Sequence, residues 1–211
     1  MTAPICVTVG SPRPGAPSNS TVMGRLPLPI LSACLLLAGP FASVAQSDQS
    51  PVLVGKVFKV TDGDTLKVQL QSGPIIVRLD SIDAPESNQP HGADAKVALA
   101  QLVADREVQL EVVSQDRYER LVAVVYVGNV NVNERMVQQG HAWAYRRYLK
   151  DRQYCEWEAA ARQQRIGLWA LPKTDWVFPS DWRRLRRSQI KDPQDFSNET
   201  AATCKAAVGK R

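Results

Sequence analysis

Between positions 52 and 127 the chain alternates apolar and polar residues in five short runs, "VLVGKVFKV", "DTLKVQL", "PIIVRLDSI", "EVQLEVV" and "LVAVVYV". This alternation, rich in β-branched residues, predicts five strands, because successive side chains of a strand point to opposite faces. Between the third and fourth runs the period lengthens. Residues 93–104 carry Val97, Ala98, Leu102 and Val103 at helical spacing, which predicts a helix there. "VNERMVQQG" predicts a short second helix stopped by Gly140, and a third is predicted from about Gln153 to Gln164, ending near "RIGLW". Nothing repeats internally. Five strands with a helix between the third and fourth predict a β-barrel with helices: an OB-fold, five-stranded, with about three helices. Such barrels commonly meet nucleic acid or sugars, but a fold alone does not supply a function.

The ends of the chain read differently. From Met23, "MGRLPLPILSACLLLAGPFASVAQ" combines one arginine, an apolar run and Ser43-Val44-Ala45, which predicts a secretory signal cleaved before Gln46. That run is too short and too broken by proline to persist as a mature transmembrane helix. The preceding residues are polar and rich in Pro, Gly and Ser, so they form a disordered extension or the true start is Met23 rather than Met1. Leu31-Ser32-Ala33-Cys34 also resembles a lipoprotein signal with Cys34 lipidated; this ranks second, because most of the apolar run would follow the cysteine. The chain thus divides into an extension and signal (1–45), a folded domain (52–170) and a basic C-terminal tail (171–211). The tail begins "LPKTDWVFPSDWRRLRR", and we read it as folded back on the domain and solvated rather than as a dedicated nucleic-acid arm. Its evident anchor is Cys204.

Composition adds little to this division. With 211 residues, 44% apolar and 22% charged, the chain has the balance of a globular protein, and its formal charge of +5 only weakly favours a polyanionic partner. Cysteine usage says more. Of the four cysteines, Cys6 and Cys34 lie in the leader, so an exported chain keeps Cys155 and Cys204, which we expect to pair in an oxidising compartment.

The candidate chemistry lies at the strand ends. "VRLDSIDAPE" closes the third run with Asp83 and Glu86 around a proline and Arg78 upstream; Asp-X-Pro by itself is an ordinary way to leave a strand. Asp62-Gly-Asp-Thr65 opens the second run, so antiparallel pairing of the two brings acids from both together. Carboxylates held close repel unless a cation or an arginine compensates, and hard oxygen ligands select Ca²⁺ or Mg²⁺ over zinc. His91 and His141 have no zinc-type spacing with cysteines and read as surface or structural residues. A third segment, "DRYER", supplies Arg117 and Arg120 just before the fifth strand, and guanidinium forks suit bidentate phosphate binding. Each motif is weak alone; the ordered set within five strands is specific.

These residues resemble the staphylococcal-nuclease-like (thermonuclease) family, through "KVTDGDTLKV", "VRLDSIDAPE", "DRYER", "VNERMVQQGHAWAY" and "GLW", from about Val54 to Trp169. The resemblance implies an OB-fold, Ca²⁺-dependent phosphodiesterase that cleaves DNA and RNA to leave 3′-phosphate ends, acting as a monomer with no stable protein partner. It implies Asp64 and Asp83 as carboxylate ligands of calcium, with the backbone carbonyl of Ala84 as a further ligand. Glu86 would be the general base, Arg78 and Arg120 would hold the phosphate, and Arg117, Tyr118, Tyr145 and Tyr148 would meet the substrate. Two positions depart from the family pattern: Ala84, where threonine is frequent, and Glu119, where glycine usually precedes the arginine. The rival readings are a non-catalytic nucleic-acid or protein-binding module of the same fold, and an exported structural domain rigidified by calcium.

Overall fold

A computed structural model describes residues 52–210 apart from 188 and 190, so the leader, Cys34 and both possible starts lie outside the described residues. Strands β1 (Val52–Asp62), β2 (Thr65–Leu70) and β3 (Gly73–Leu79) form an antiparallel meander, with Asp62 opposite Thr65 and Leu70 opposite Gly73 at its two turns. A two-residue strand β4 (Ile82–Asp83) leads to helix α1 (Gly92–Val103). Strand β5 (Glu107–Gln115) then pairs antiparallel with β1 on one side and with β6 (Leu121–Val127) on the other. β6 returns to β3 in parallel register, Val77 opposite Leu121 and Leu79 opposite Ala123, and this pairing closes the five strands into a barrel. Closure leaves the barrel strands without a free sheet edge.

The alternation read from the sequence points Val57, Leu66, Val68, Val77, Leu79, Val108, Leu110, Ala123 and Val125 into one core, all essentially inaccessible to solvent. Helix α1 covers this core with Ala95, Ala98, Leu99 and Val103. Of the four apolar positions that predicted it, Ala98, Leu102 and Val103 face this core and Val97 does not, being 55% exposed. Ala95 takes a close contact that favours small residues: a Cβ added at Gly63 would sit 2.8 Å from that of Ala95.

After the short strand β7 (Val130–Asn131), helix α2 (Val132–Gln138) starts on Asn131, whose side chain accepts the Glu134 N–H. Gly140 follows at φ 71, and a Cβ there would lie 2.4 Å from the Ile166 carbonyl oxygen, so the stop at glycine also serves packing. Strand β8 (Trp143–Ala144) pairs with β4, and helix α3 (Gln153–Gln164) ends where the spacing placed it. Two further helices, α4 (Pro179–Arg186) and α5 (Ala201–Ala207), bring the described α-helices to five. None among the described residues is long and apolar enough to cross a membrane.

The segment after Trp169 is not a solvated tail. Trp176, Phe178 and Phe196 join Trp143, Leu168 and Trp169 in a second apolar cluster. Beneath it Glu158, 2% exposed, accepts from both terminal nitrogens of Arg146 at 2.7 and 2.8 Å and from Arg162 Nε at 2.9 Å. Glu199 pairs with the same two arginines, and Arg162 donates to the Phe196 carbonyl. A disulfide joins Cys155 of α3 to Cys204 of α5, with Cα atoms 5.7 Å apart. Cys204 is therefore one anchor among several.

Candidate active site

The acids assemble as the hairpin register requires. Thr65 faces Arg78 across β2 and β3, so the turn carrying Asp64 and the β4 segment carrying Asp83 meet at one end of the barrel. Arg78 spans them: Nη1 donates to Asp64 Oδ1 at 2.7 Å and Nη2 to Asp83 Oδ1 at 2.9 Å, with a further bond to the Ile82 carbonyl at 3.3 Å. Asp64 is also held by the Thr65 hydroxyl at 3.0 Å and, on its other oxygen, by the Ala84 N–H at 3.0 Å. Ala84 thus contributes through its backbone, for which the side chain is immaterial.

Burial sets the electrostatics here. Burial alone would raise the Asp64 carboxyl, but Arg78, the Ala84 N–H and the Thr65 hydroxyl outweigh it and hold the group below its ordinary range. Asp83 is fully buried, and that raises its carboxyl against the pull of Arg78 and Arg183. Asp62, which the sequence reading did not place in the site, accepts the Asp64 N–H at 3.1 Å, and burial followed by the Asp64 charge pushes it up to about 6.

Glu86 lies on the loop between β4 and α1. A Cβ at Gly92 would come within 1.8 Å of the Glu86 carbonyl oxygen, so the first turn of α1 rests directly on this loop and fixes its height above the barrel. Gln89 accepts the Glu86 N–H at 3.2 Å and donates to the Val177 carbonyl at 2.6 Å. The Glu86 carboxylate itself pairs with Arg183 of α4, which also reaches Asp83 Oδ2 at 3.3 Å. Arg183 was missed in the sequence, where it is one of four arginines in a basic run and no spacing separates it from the others.

The remaining candidates fall into two groups. Tyr145 is half-buried beside the acids, its ring centroid 5.9 Å from Arg78 Cζ, and Tyr148 stands edge-on to it at 5.0 Å, 53% exposed. Tyr145, with Arg147, Phe178 and Arg184, helps to line a groove of about 660 Å³. Arg117, Tyr118 and Arg120 sit together on the loop between β5 and β6. Arg117 Nη2 donates to the Tyr118 hydroxyl at 2.7 Å, and Arg120 pairs with Asp116 at 2.7 Å rather than with Glu119. Among the described residues no hydrogen bond or ion pair joins this loop to Asp64 or Asp83. The register nevertheless brings it to the same end, since Val122, two residues after Arg120, faces Arg78. Glu119 takes the positive φ of 62 that glycine would adopt freely. His91 and His141 stack with ring centroids 5.2 Å apart and join Nε2 to Nδ1 at 2.9 Å.

A closed barrel that presents buried aspartates, a glutamate and arginines at one end is suited to an anionic ester, because the arginines match phosphate and the acids can hold a cation or take a proton. A sequence profile described as "Staphylococcal nuclease homologue" matches residues 76–171. An uncharacterised endonuclease of Haemophilus influenzae is 40% identical over 169 residues, covering 79% of this chain and 92% of that protein. A micrococcal nuclease of Shigella flexneri is 43% identical over 145 residues, 64% of this chain and 82% of the relative. The chain belongs to the staphylococcal nuclease family of nucleases.

Proposed function

We propose that the chain is an exported, calcium-dependent nuclease that hydrolyses phosphodiester bonds of DNA and RNA and leaves 3′-phosphate ends. The observation that carries this reading is the bridge from Arg78 to the buried Asp64 and Asp83 beside Glu86. Export is supported by the signal-like leader and by the disulfide, which suits an oxidising compartment.

The donor set fits a hard divalent cation: two carboxylates at the end of a rigid hairpin, with a lone pair left on Oδ2 of each. Among the described residues no group of three or more His, Cys, Asp and Glu side chains is arranged to hold a metal ion by itself, which leaves backbone oxygen, substrate and water to complete the shell. Asp64, Asp83 and the Ala84 carbonyl would hold calcium, whose chemistry when bound is Lewis-acid polarisation of a phosphate oxygen. Glu86 takes the proton of the attacking water. Arg78 and Arg120 neutralise charge on the phosphate as the 5′ oxygen departs. Tyr145, Tyr148, Tyr118 and Arg117 present ring faces and donors to the nucleotide.

The test is turnover of single-stranded DNA and RNA by the purified mature chain, with added calcium and with chelator, and mass analysis of the ends. Cleavage that stops on chelation and leaves 3′-phosphates is expected, and Glu86→Gln should lower turnover by roughly a hundredfold or more. Undiminished turnover in that variant would sink the assignment of the base. No hydrolysis by the wild type would favour the binding-module reading.

A further inference from the structure

Arg183 reaches the acid cluster from a helix that the barrel does not need. It lies 97 residues from Glu86, yet its Nη1 donates to a Glu86 carboxylate oxygen and approaches Asp83 Oδ1 at 3.4 Å, while Nη2 lies 3.3 Å from Asp83 Oδ2. Its helix is held in place from both sides. Phe178, 1% exposed, packs 5.1 Å from Trp143, itself on the strand paired with Asp83. Trp182 Nε1 donates to Asn88 Oδ1 at 3.0 Å, and Gln89 donates to the Val177 carbonyl. Asn88 and Gln89 belong to the loop of Glu86. Helix and loop are thus clamped around the Arg183 pairs.

Most of the Asp83 lone pairs are already engaged. Oδ1 accepts from both Arg78 and Arg183, and Oδ2 accepts from Arg183. A cation that binds Asp83 must displace one of these arginines or share the carboxylate oxygens against their charge. Arg78 bonds two aspartates and a carbonyl from inside the barrel end, with a side chain 15% exposed. The Arg183 side chain is twice as open, at 30%, and the pairing of Asp64 with Arg78 does not depend on it.

We infer that Arg183 is a positioning residue of the cation site, a built-in counter-cation that contends with a divalent ion for Asp83 and holds Glu86 until that ion binds. The inference rests on the proposed calcium site and deepens it. Cation binding and release of Glu86 toward water then become one event, and the cation concentration at which the enzyme works is set by a residue of the C-terminal segment.

The experiment is calcium titration by calorimetry, without nucleic acid, into the full mature chain and its Arg183→Gln variant. Loss of a unit positive charge a few ångströms from the ion should tighten binding about tenfold or more even at a water-like dielectric constant. Equal affinities, or weaker binding in the variant, would overturn the proposal while leaving the calcium site standing. No calcium binding in either protein would overturn the calcium reading and this one with it. Unchanged calcium affinity, with weakened single-stranded DNA binding in a separate titration of the variant, would overturn the proposal and reassign Arg183 to the substrate. A measurement on the wild type guards against a variant that folds poorly: the Arg183 guanidinium NMR signal should lose its slow proton exchange as calcium saturates, and an unaltered signal counts against the displacement.

Discussion

Replacing Cys155 and Cys204 together with alanine removes the one covalent tie between α3 and the C-terminal segment. The cysteines are 49 positions apart, and the chain-entropy relation gives about 4 kcal/mol for a closed loop of that length. Native-state terms are smaller, because α5 keeps its neighbours: Glu199 stays paired to Arg146 and Arg162, and Phe196 stays in the aromatic cluster. The loss therefore arises mainly in the unfolded chain, which gains the freedom the bridge denied it. At roughly 2–4 °C per kcal/mol for a unit of this size, the melting temperature should fall by about 8–16 °C. Urea unfolding followed by tryptophan fluorescence measures it directly, since Trp143 and Trp169 are buried and report on the cluster that α4 and α5 complete. Neither cysteine touches the acid or arginine residues of the site, so turnover at a temperature where the variant is folded should stay within about twofold. A stability loss below about 1 kcal/mol would refute the entropic reasoning, because the bridge would then not be restricting the denatured chain.

Three further outcomes are expected. Glu158→Gln strips the shared carboxylate from two buried arginines and should cost about 3–5 kcal/mol in urea unfolding; a loss under about 1 kcal/mol would mean that Glu199 alone satisfies both. Glu119→Gly relieves a left-handed backbone and should stabilise by up to about 1 kcal/mol, so a destabilised variant would show that the Glu119 side chain contributes more than its strain costs. Burial and then His91 push the His141 imidazole from 6.5 down to about 4, so between those values the unfolded chain binds more protons than the fold. Stability from the neutral stack is complete above about pH 6.5 and declines toward pH 4; His141→Gln should flatten that slope in unfolding titrations, and identical slopes would exclude the histidine as its source.

The barrel was legible because its strands are. Alternation in "LVAVVYV" and its companions follows from the pleat, and the structure points Ala123 and Val125 inward as the period demands. The third helix was legible to the residue, since its end coincides with Arg165 in a left-handed cap. Of the apolar positions that marked α1, Ala98 and Val103 are buried and Leu102 packs against the core, while Val97 is exposed and Ala95 takes the close contact with the Gly63 turn. The acids were legible as a set, since a two-strand register is enough to bring Asp64 to Asp83. The second apolar cluster was not, because Trp176, Phe178 and Phe196 follow no periodic pattern and meet rings from distant segments, Trp143 and Trp169 among them.

By itself the sequence determined what short-range physics decides: the period of each strand, the glycine that ends α2, and the turns that carry the acids to one end of the barrel. Tertiary structure alone decided which arginine of the run 183–187 reaches those acids. Four guanidiniums close together in sequence are chemically equivalent until a helix axis is fixed. That axis is fixed by Phe178 in a cluster built from distant segments and by Trp182 on Asn88, so the pairing of Arg183 with Glu86 is a property of packing rather than of local pattern.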